Sequence, residues 1–161
     1  MQRKHIIGVI GASQASPRGI ALAEDVGRLL AERGAVLVCG GLGGVMEAAA
    51  RGCAEAGGDV LGILPGASAA SANPYVTLPV VTNMGHARNV IIAQTAEALI
   101  AIEGEYGTLS EIAISLKLNK PVIQLFSWPD IPKTLPADSP EQAIEMVFAA
   151  LRGGLANDER G

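Results

Sequence analysis

An α/β fold, a single doubly wound, Rossmann-like and mostly parallel sheet with helices on both faces, follows from three properties of this 161-residue chain. Short apolar, β-branched runs alternate with segments of helical period almost from end to end. Two of those runs end in glycine-rich turns that lead straight into a helical pattern, Cys39-Gly-Gly-Leu-Gly-Gly-Val-Met-Glu47 and Glu103-Gly-Glu-Tyr-Gly-Thr-Leu-Ser-Glu111. Aromatic residues are only 3% while hydrophobic residues reach 49%, which suits helices packed closely on a parallel sheet better than a β-sandwich. One domain over residues 1–152 accounts for a core of this size, and 153–161, polar and flanked by glycine, reads as a flexible tail.

The elements follow in order. Residues 5–12 (HIIGVIGA) form the first strand, and Ser16-Pro17 supplies an N-cap and a proline at the first helical position. Ile20, Ala23, Val26 and Leu30 give that helix its apolar face, and Gly34 ends it as a left-handed cap. Residues 35–40 are a second strand. Residues 45–56 repeat small side chains (Ala49, Cys53, Ala56) on one face and stop at Gly57-Gly58, the pattern of a helix lying close to the sheet. A third strand spans 59–64. The stretch 67–74 has no period and reads as an exposed loop or lid beside the ligand. Residues 75–82 alternate weakly around Pro79, which confines them to a short or edge strand.

Helical spacing resumes over 87–95, with Arg88 in the first turn. Residues 98–102 (ALIAI) are a buried strand. Leu109, Ile112, Ala113 and Leu116 then recur at i, i+3, i+4, i+7, and 121–126 is the last clear strand. Ser139-Pro140-Glu141-Gln142 starts a final helix with an apolar stripe at Ile144, Val147, Phe148 and Leu151.

Several function classes drop out. The net charge of −4 and the lack of a basic block leave no stripe for a nucleic-acid backbone. No apolar segment has the length of a signal core or a membrane span, so a cytoplasmic setting is expected, with no membrane partner. Cys39 and Cys53 lie in apolar patterns without metal-ligand spacing, which predicts buried, reduced thiols and no metal site.

Doubly wound sheets bind ligands at the carboxyl ends of their strands, and both glycine turns open helices there. Free N–H groups and the positive end of a helix dipole would face an anion at each, with phosphate the natural ligand. The first turn of the chain, Gly11-Ala12-Ser13, has Ser13 where the second glycine of a dinucleotide fingerprint belongs, which disfavours ordinary NAD binding. Gly40, Gly41, Gly43 and Gly44 imply close backbone approach to a ligand or positive φ. Glu47 follows one turn in, where a carboxylate complements the dipole or serves the site. At the second turn Gly104, Gly107 and Thr108 are the phosphate candidates, while Thr108 and Glu111 also match a capping box. Arg88 is placed against its helix dipole, a cost that invites a functional cause.

With these residues in view, the chain resembles the Lonely Guy (LOG) superfamily, often labelled lysine-decarboxylase-like, from its first strand to about Phe126. The similar features are Gly41-Leu-Gly-Gly-Val-Met46, the His-x-Arg pair His86-Ala-Arg88, and Gly104-Glu-Tyr-Gly-Thr-Leu-Ser-Glu111. The resemblance implies a pocket for a nucleoside monophosphate and, in the enzymes, hydrolysis of the bond between base and ribose 5-phosphate. Arg88 and Glu111 match the two residues that carry that reaction. Chemically, Glu111 would steady an oxocarbenium-like ribosyl cation or orient water, and Arg88 would pair with phosphate.

The sequence departs from the family at Glu103-Gly104-Glu105, where a Pro-Gly-Gly is usual, and at Asn89, where the family has lysine. Two carboxylates thus enter a loop meant for an anion. At an effective dielectric of about 20, unit charges 4 Å apart repel by about 4 kcal/mol, so Glu105 has to point away or the ligand differs. The Val-Met-Glu-Ala variant resembles a subgroup related to molybdenum cofactor carrier proteins, which bind a phosphorylated pterin without turning it over. The resemblance therefore implies a hydrolase or a carrier, and a nucleotide sensor is a third reading. No cofactor is required in any of them; the molybdenum cofactor would be a bound ligand. Pyridoxal chemistry is rejected, because Lys4, Lys117, Lys120 and Lys133 all lie outside the predicted ligand turns. A homodimer or homotetramer is expected from the family and from the apolar last helix.

Overall fold

The computed structural model describes residues 1–158, with side chains placed through residue 153. Strands β1 (Ile6–Gly11), β2 (Val36–Cys39), β3 (Val60–Leu64), β4 (Leu78–Val81), β5 (Ala98–Ile102), β6 (Val122–Gln124) and β7 (Leu135–Pro136) form one sheet in the order β4-β3-β2-β1-β5-β6-β7. Every pairing is parallel. Helices α1 (Pro17–Glu32), α2 (Val45–Glu55), α3 (Arg88–Thr95), α4 (Tyr106–Lys117) and α5 (Pro140–Asp158) connect or follow the strands. β7, two residues long, was not foreseen from the sequence, because two residues carry no readable alternation.

The chain lays β1 to β4 outward on one side, then returns to pair β5 with the other side of β1. That reversal leaves a crevice between the carboxyl ends of β1 and β5, the position where open α/β sheets receive ligands.

The core has two layers. On one face α1, α2 and α5 pack Ala23, Val26, Leu30, Ala49, Ile144 and Val147 against Ile7, Val9, Leu37 and Ile100. On the other, α3 and α4 bring Ile92 and Ile112 onto Ile10, Val38, Leu99 and Val122. Both faces of the central strands are therefore covered, which is why they read as continuous apolar runs.

The helix starts follow local chemistry. Ser16 accepts from the Gly19 amide at 3.1 Å, Pro17 follows, and Gly34 closes the turn at φ 72°. Ser139 Oγ accepts from the Gln142 amide at 3.1 Å. α5 continues to Asp158, past the Gly153 where the sequence suggests an end; residues 159–161 of the expected tail lie outside the described residues. The small face of α2 meets α1 as well as the sheet. A Cβ at Gly27 would lie 2.0 Å from the Ala49 carbonyl oxygen, and one at Gly52 would lie 2.0 Å from that of Glu24. The two helices touch backbone to backbone.

Candidate functional site

A cleft of about 300 Å³ opens over the β1/β5 crevice. It is lined from the β1–α1 loop by Gly11 to Gln14, from the start of α2 by Leu42 and Met46, from the segment before and into α3 by His86, Arg88 and Asn89, and from the start of α4 by Glu105, Gly107, Thr108 and Glu111. Four chain segments far apart in sequence meet there because their strands all point the same way.

α4 meets the cleft with its amino end. It begins at Tyr106, with Glu105 as N-cap residue and no side-chain capping bond. The expected capping box at Thr108 and Glu111 is therefore absent: Thr108 lies in the first turn of the helix and Glu111 in the second, and both are buried, 4% and 7% exposed. The first-turn amides stay available to a ligand. Gly107 is open, since a Cβ there would meet no protein atom within 4 Å. Gly104 serves the turn instead; at φ 114° it leaves room for Thr108, whose Oγ1 would be 2.4 Å from an added Cβ.

The four glycines of the first turn also act through geometry. A Cβ at Gly40 would press on Met46 Sδ at 2.6 Å and Arg88 Nη2 at 2.8 Å, and one at Gly44 would lie 2.2 Å from the Ala12 carbonyl oxygen. Gly41 and Gly44 take φ of 74° and 66°. These residues shape the wall, and the lining comes from Leu42 and Met46 between and beyond them, with Gly43 near Ser13. Glu47 is half-buried and does not line the cleft. The loop at 67–74 holds a 3-10 turn at Ala69–Ser71, and its Asn73 is tied to the glycine turn. The Asn73 amide donates to the Gly41 carbonyl at 2.9 Å, and its Nδ2 donates to the Leu42 carbonyl at 2.9 Å. No sequence signal singled out Asn73 or Gln14; Asn73 acts through backbone that only folding brings near it.

Arg88 is 8% exposed, and its guanidinium is engaged. Nε donates to the Ile63 carbonyl at 2.9 Å, Nη2 to the Gly40 carbonyl at 3.3 Å, and Nη1 to Asn89 Oδ1. The cation thus ties the carboxyl ends of β2 and β3 to α3, which explains its position against the helix dipole. Asn89, standing where the family has lysine, is its neutral partner. Burial lowers the pKa of Arg88, against the opposing pull of Glu111.

Burial pushes the Glu111 carboxyl up to about 8, with Arg88 holding it lower than burial alone would. Near neutral pH the group carries its proton and is a hydrogen-bond donor. Cys39, behind this pair, is a free buried thiol pushed up to about 12 by burial, and Cys53 is likewise free and buried.

The two extra carboxylates part company. Glu103, at φ 52°, turns away from the cleft to α1: Oε2 accepts from the Ser16 amide at 3.0 Å, and Oε1 accepts from Ser16 Oγ. Glu105 does line the cleft, at its exposed rim, where water screens it. Of the residues picked from sequence, the fold brings together Gly11, Ser13, His86, Arg88, Asn89, Gly107, Thr108 and Glu111. His86 is exposed at the mouth. No lysine is found among the lining residues, and no group of three or more His, Cys, Asp or Glu poised for a metal occurs among the described residues. No helix is long and apolar enough to cross a membrane among those residues. Taken together the cleft offers uncapped helix amides, a hydroxyl, a neutral carboxyl and two apolar side chains: a fit for a phosphate joined to a flat ring.

Comparison with known proteins finds relatives over nearly the whole chain. The model of the SLOG cluster4 family matches residues 4–150. The molybdenum cofactor binding protein of the phototrophic bacterium Rippkaea orientalis is 37% identical, superposes with a TM-score of 0.88, and the match covers 94% of this chain and 99% of that one. The molybdenum cofactor carrier protein of Chlamydomonas reinhardtii is 34% identical with a TM-score of 0.82, over 93% of this chain and 99% of that one. A protein of Oryza sativa subsp. japonica named "Probable cytokinin riboside 5'-monophosphate phosphoribohydrolase LOG4" is 37% identical over 100 residues, 60% of this chain and 43% of that protein.

Proposed function

The chain belongs to the SLOG cluster4 family, and we propose that it holds a phosphorylated, ring-bearing small molecule without turning it over, as a carrier of the molybdenum cofactor. Two of its neighbours in structure are proteins named for binding or carrying that cofactor. The phosphate would sit on the amides of Gly107 and Thr108 and on the Thr108 hydroxyl, and the pterin ring would lie against Leu42 and Met46. The molybdenum cofactor is cargo here, and every group that would hold it belongs to the chain's own backbone and side chains.

One observation supports the choice of carrier over hydrolase: the pair matched to catalysis is buried, and Arg88 is bound to two strand-end carbonyls. Stabilising a ribosyl cation calls for an ionised carboxylate, and seating its 5'-phosphate calls for a cation with donors to spare. Burial favours the protonated form of Glu111 near neutral pH, and Arg88 gives three of its five N–H groups to two carbonyls and Asn89. A protonated Glu111 beside a bound phosphate donates a hydrogen bond to it, which suits holding. Hydrolysis of nucleoside 5'-monophosphates is the second reading, favoured by the meeting of Arg88, Thr108 and Glu111 in one cleft. There Glu111 would give its proton to the departing base.

The deciding experiment combines a binding titration of the molybdenum cofactor with chromatography for free base after incubation with nucleoside monophosphates. Saturable binding with no base released is the expected result. Base release that disappears in Glu111→Gln would replace the carrier with the hydrolase; weak binding of the pterin but tight binding of a nucleotide, again without release, would favour a sensor. Because Glu111 ionises as pH rises through about 8, phosphate affinity should fall across that range in the wild type and stay level in Glu111→Gln. The exposed apolar residues Leu78, Val80 and Val81 of the edge strand β4 fit a second copy, in a homodimer or homotetramer.

A further inference from the structure

We infer that Asn73 is a positioning residue for the ring end of the ligand: from outside the cleft it fixes the glycine turn that presents Leu42 to the ring. The inference rests on the reading above, in which a ring lies against Leu42, and adds the group that holds Leu42 there. Leu42 stands between Gly41, at φ 74°, and Gly43, with Gly44 following at φ 66°. Glycines on both sides give the turn little stiffness of its own. The helix that follows adds none through its cap, because Gly44 makes no side-chain capping bond to α2.

The turn is held instead through three successive carbonyls. Gly40 O accepts from Arg88 Nη2 at 3.3 Å, Gly41 O from the Asn73 amide at 2.9 Å, and Leu42 O from Asn73 Nδ2 at 2.9 Å. Asn73 thus supplies two of the three donors. Its side-chain amide has a fixed sense, because the Tyr75 amide can only donate and reaches Oδ1 at 3.0 Å, which leaves Nδ2 for the Leu42 carbonyl. The bond to Tyr75 by itself would make Asn73 an ordinary turn residue. The bond to Leu42 crosses 31 positions and serves another segment.

Burial and placement point the same way. Residues 67–71 and Pro74 are exposed, whereas Asn73 is 9% exposed, so within this loop it is the side chain folded inward. A carbonyl that loses its donor at such a place is costly. Leu42 lines the cleft and Asn73 does not, so an effect of Asn73 on a ligand has to pass through the turn. That makes the role separable from direct contact.

Asn73→Asp tests this, because it keeps the volume and the acceptor for Tyr75 but sets an oxygen against the Leu42 carbonyl. Asn73→Ala, which removes both side-chain bonds, serves if the acidic variant folds poorly. In calorimetric titrations, affinity for the molybdenum cofactor should fall about tenfold or more in either variant, while affinity for inorganic phosphate, which has no ring, changes less than about twofold. The loss should disappear when Leu42→Ala is already present, since Asn73 acts through that side chain. Equal losses for cofactor and phosphate, or a loss undiminished in the Leu42→Ala background, overturn the inference. Amide exchange followed by NMR needs no ligand. Exchange at residue 73, whose N–H is held by the Gly41 carbonyl, should quicken about tenfold in both variants, while Val45, held by the Ala12 carbonyl, exchanges as in the wild type. Unchanged exchange at residue 73 also overturns it. A wild type that does not bind the cofactor sinks the carrier reading instead, and the exchange rates still decide the role of Asn73.

Discussion

Arg88, matched to catalysis by its motif, also ties strand ends together in the fold while lining the cleft. Its three hydrogen bonds reach Ile63, Gly40 and Asn89, so Arg88→Met leaves two strand-end carbonyls without their donor. That change should lower stability by about 3 kcal/mol, measured by urea denaturation. Glu111 makes a separate prediction. Its folded pKa of about 8 lies above the ordinary 4.5, so the folded state keeps a proton that the unfolded state loses. The stabilisation is complete below pH 4.5, declines as pH rises toward 8, and is gone above it. Melting curves of wild type and Glu111→Gln between pH 5 and 9 should therefore converge at low pH and separate at high pH, with the mutant the more stable there. At Gly107 the opposite pairing is expected: Gly107→Ala keeps or raises the melting temperature, since nothing crowds the new Cβ, yet weakens phosphate binding about tenfold. These roles were half legible. The motif spacing pointed to Arg88, Thr108 and Glu111, but the protonation of Glu111 and the partners of Arg88 depend on burial that no local pattern encodes.

Among the elements, α1 and α2 show what small residues are for. The sequence displayed Ala49, Cys53 and Ala56 on one face, and the fold uses the neighbouring Gly52 with Gly27 to bring two helix backbones into contact. Gly27→Ala and Gly52→Ala should each destabilise by about 1–3 kcal/mol, seen as a lower denaturation midpoint with an unchanged m-value. The start of α4 is the case where local chemistry misled. Thr108-Leu-Ser-Glu111 has the spacing of a capping box, yet the N-cap is Glu105 and the helix already begins at Tyr106. Capping boxes are defined by where the helix starts, and that point was set here by the turn at Glu103 and Gly104, whose positive φ values aim the chain back over the sheet. The ends of α1 and α5, where Ser16-Pro17 and Ser139-Pro140 stand, were legible because serine and proline there act on their immediate neighbours.

The molecule as a whole places its ligand cleft by topology. β5 pairs with β1 while β2 to β4 lie on the far side, and the loops after β1 and β5 must splay apart at that reversal. At the outer edge β4 exposes Leu78, Val80 and Val81, with Met84 and Val90 nearby. Light scattering on the purified chain should give a mass of two or four copies, and Val80→Lys should shift it toward one copy while the far-UV spectrum is retained. The apolar last helix, expected to serve assembly, instead buries Ile144 and Val147 in the core.

Alternation of apolar runs with helical spacing was enough to establish a parallel α/β sheet, its strand boundaries to within a few residues, and the two glycine turns at the carboxyl ends of strands, because those signals come from residues adjacent in the chain. Which residues of the two turns line the cleft was visible only in the fold. Glu103 and Glu105 are two residues apart and alike in sequence, but the left-handed backbone at Glu103 sends one carboxylate to the amino end of α1 and leaves the other at the rim. The reason is physical: a side chain's charge, protonation and partner depend on what long-range folding packs against it, and here those partners, Ser16, Gly40 and Ile63, lie 87, 48 and 25 positions away from the residues they bind.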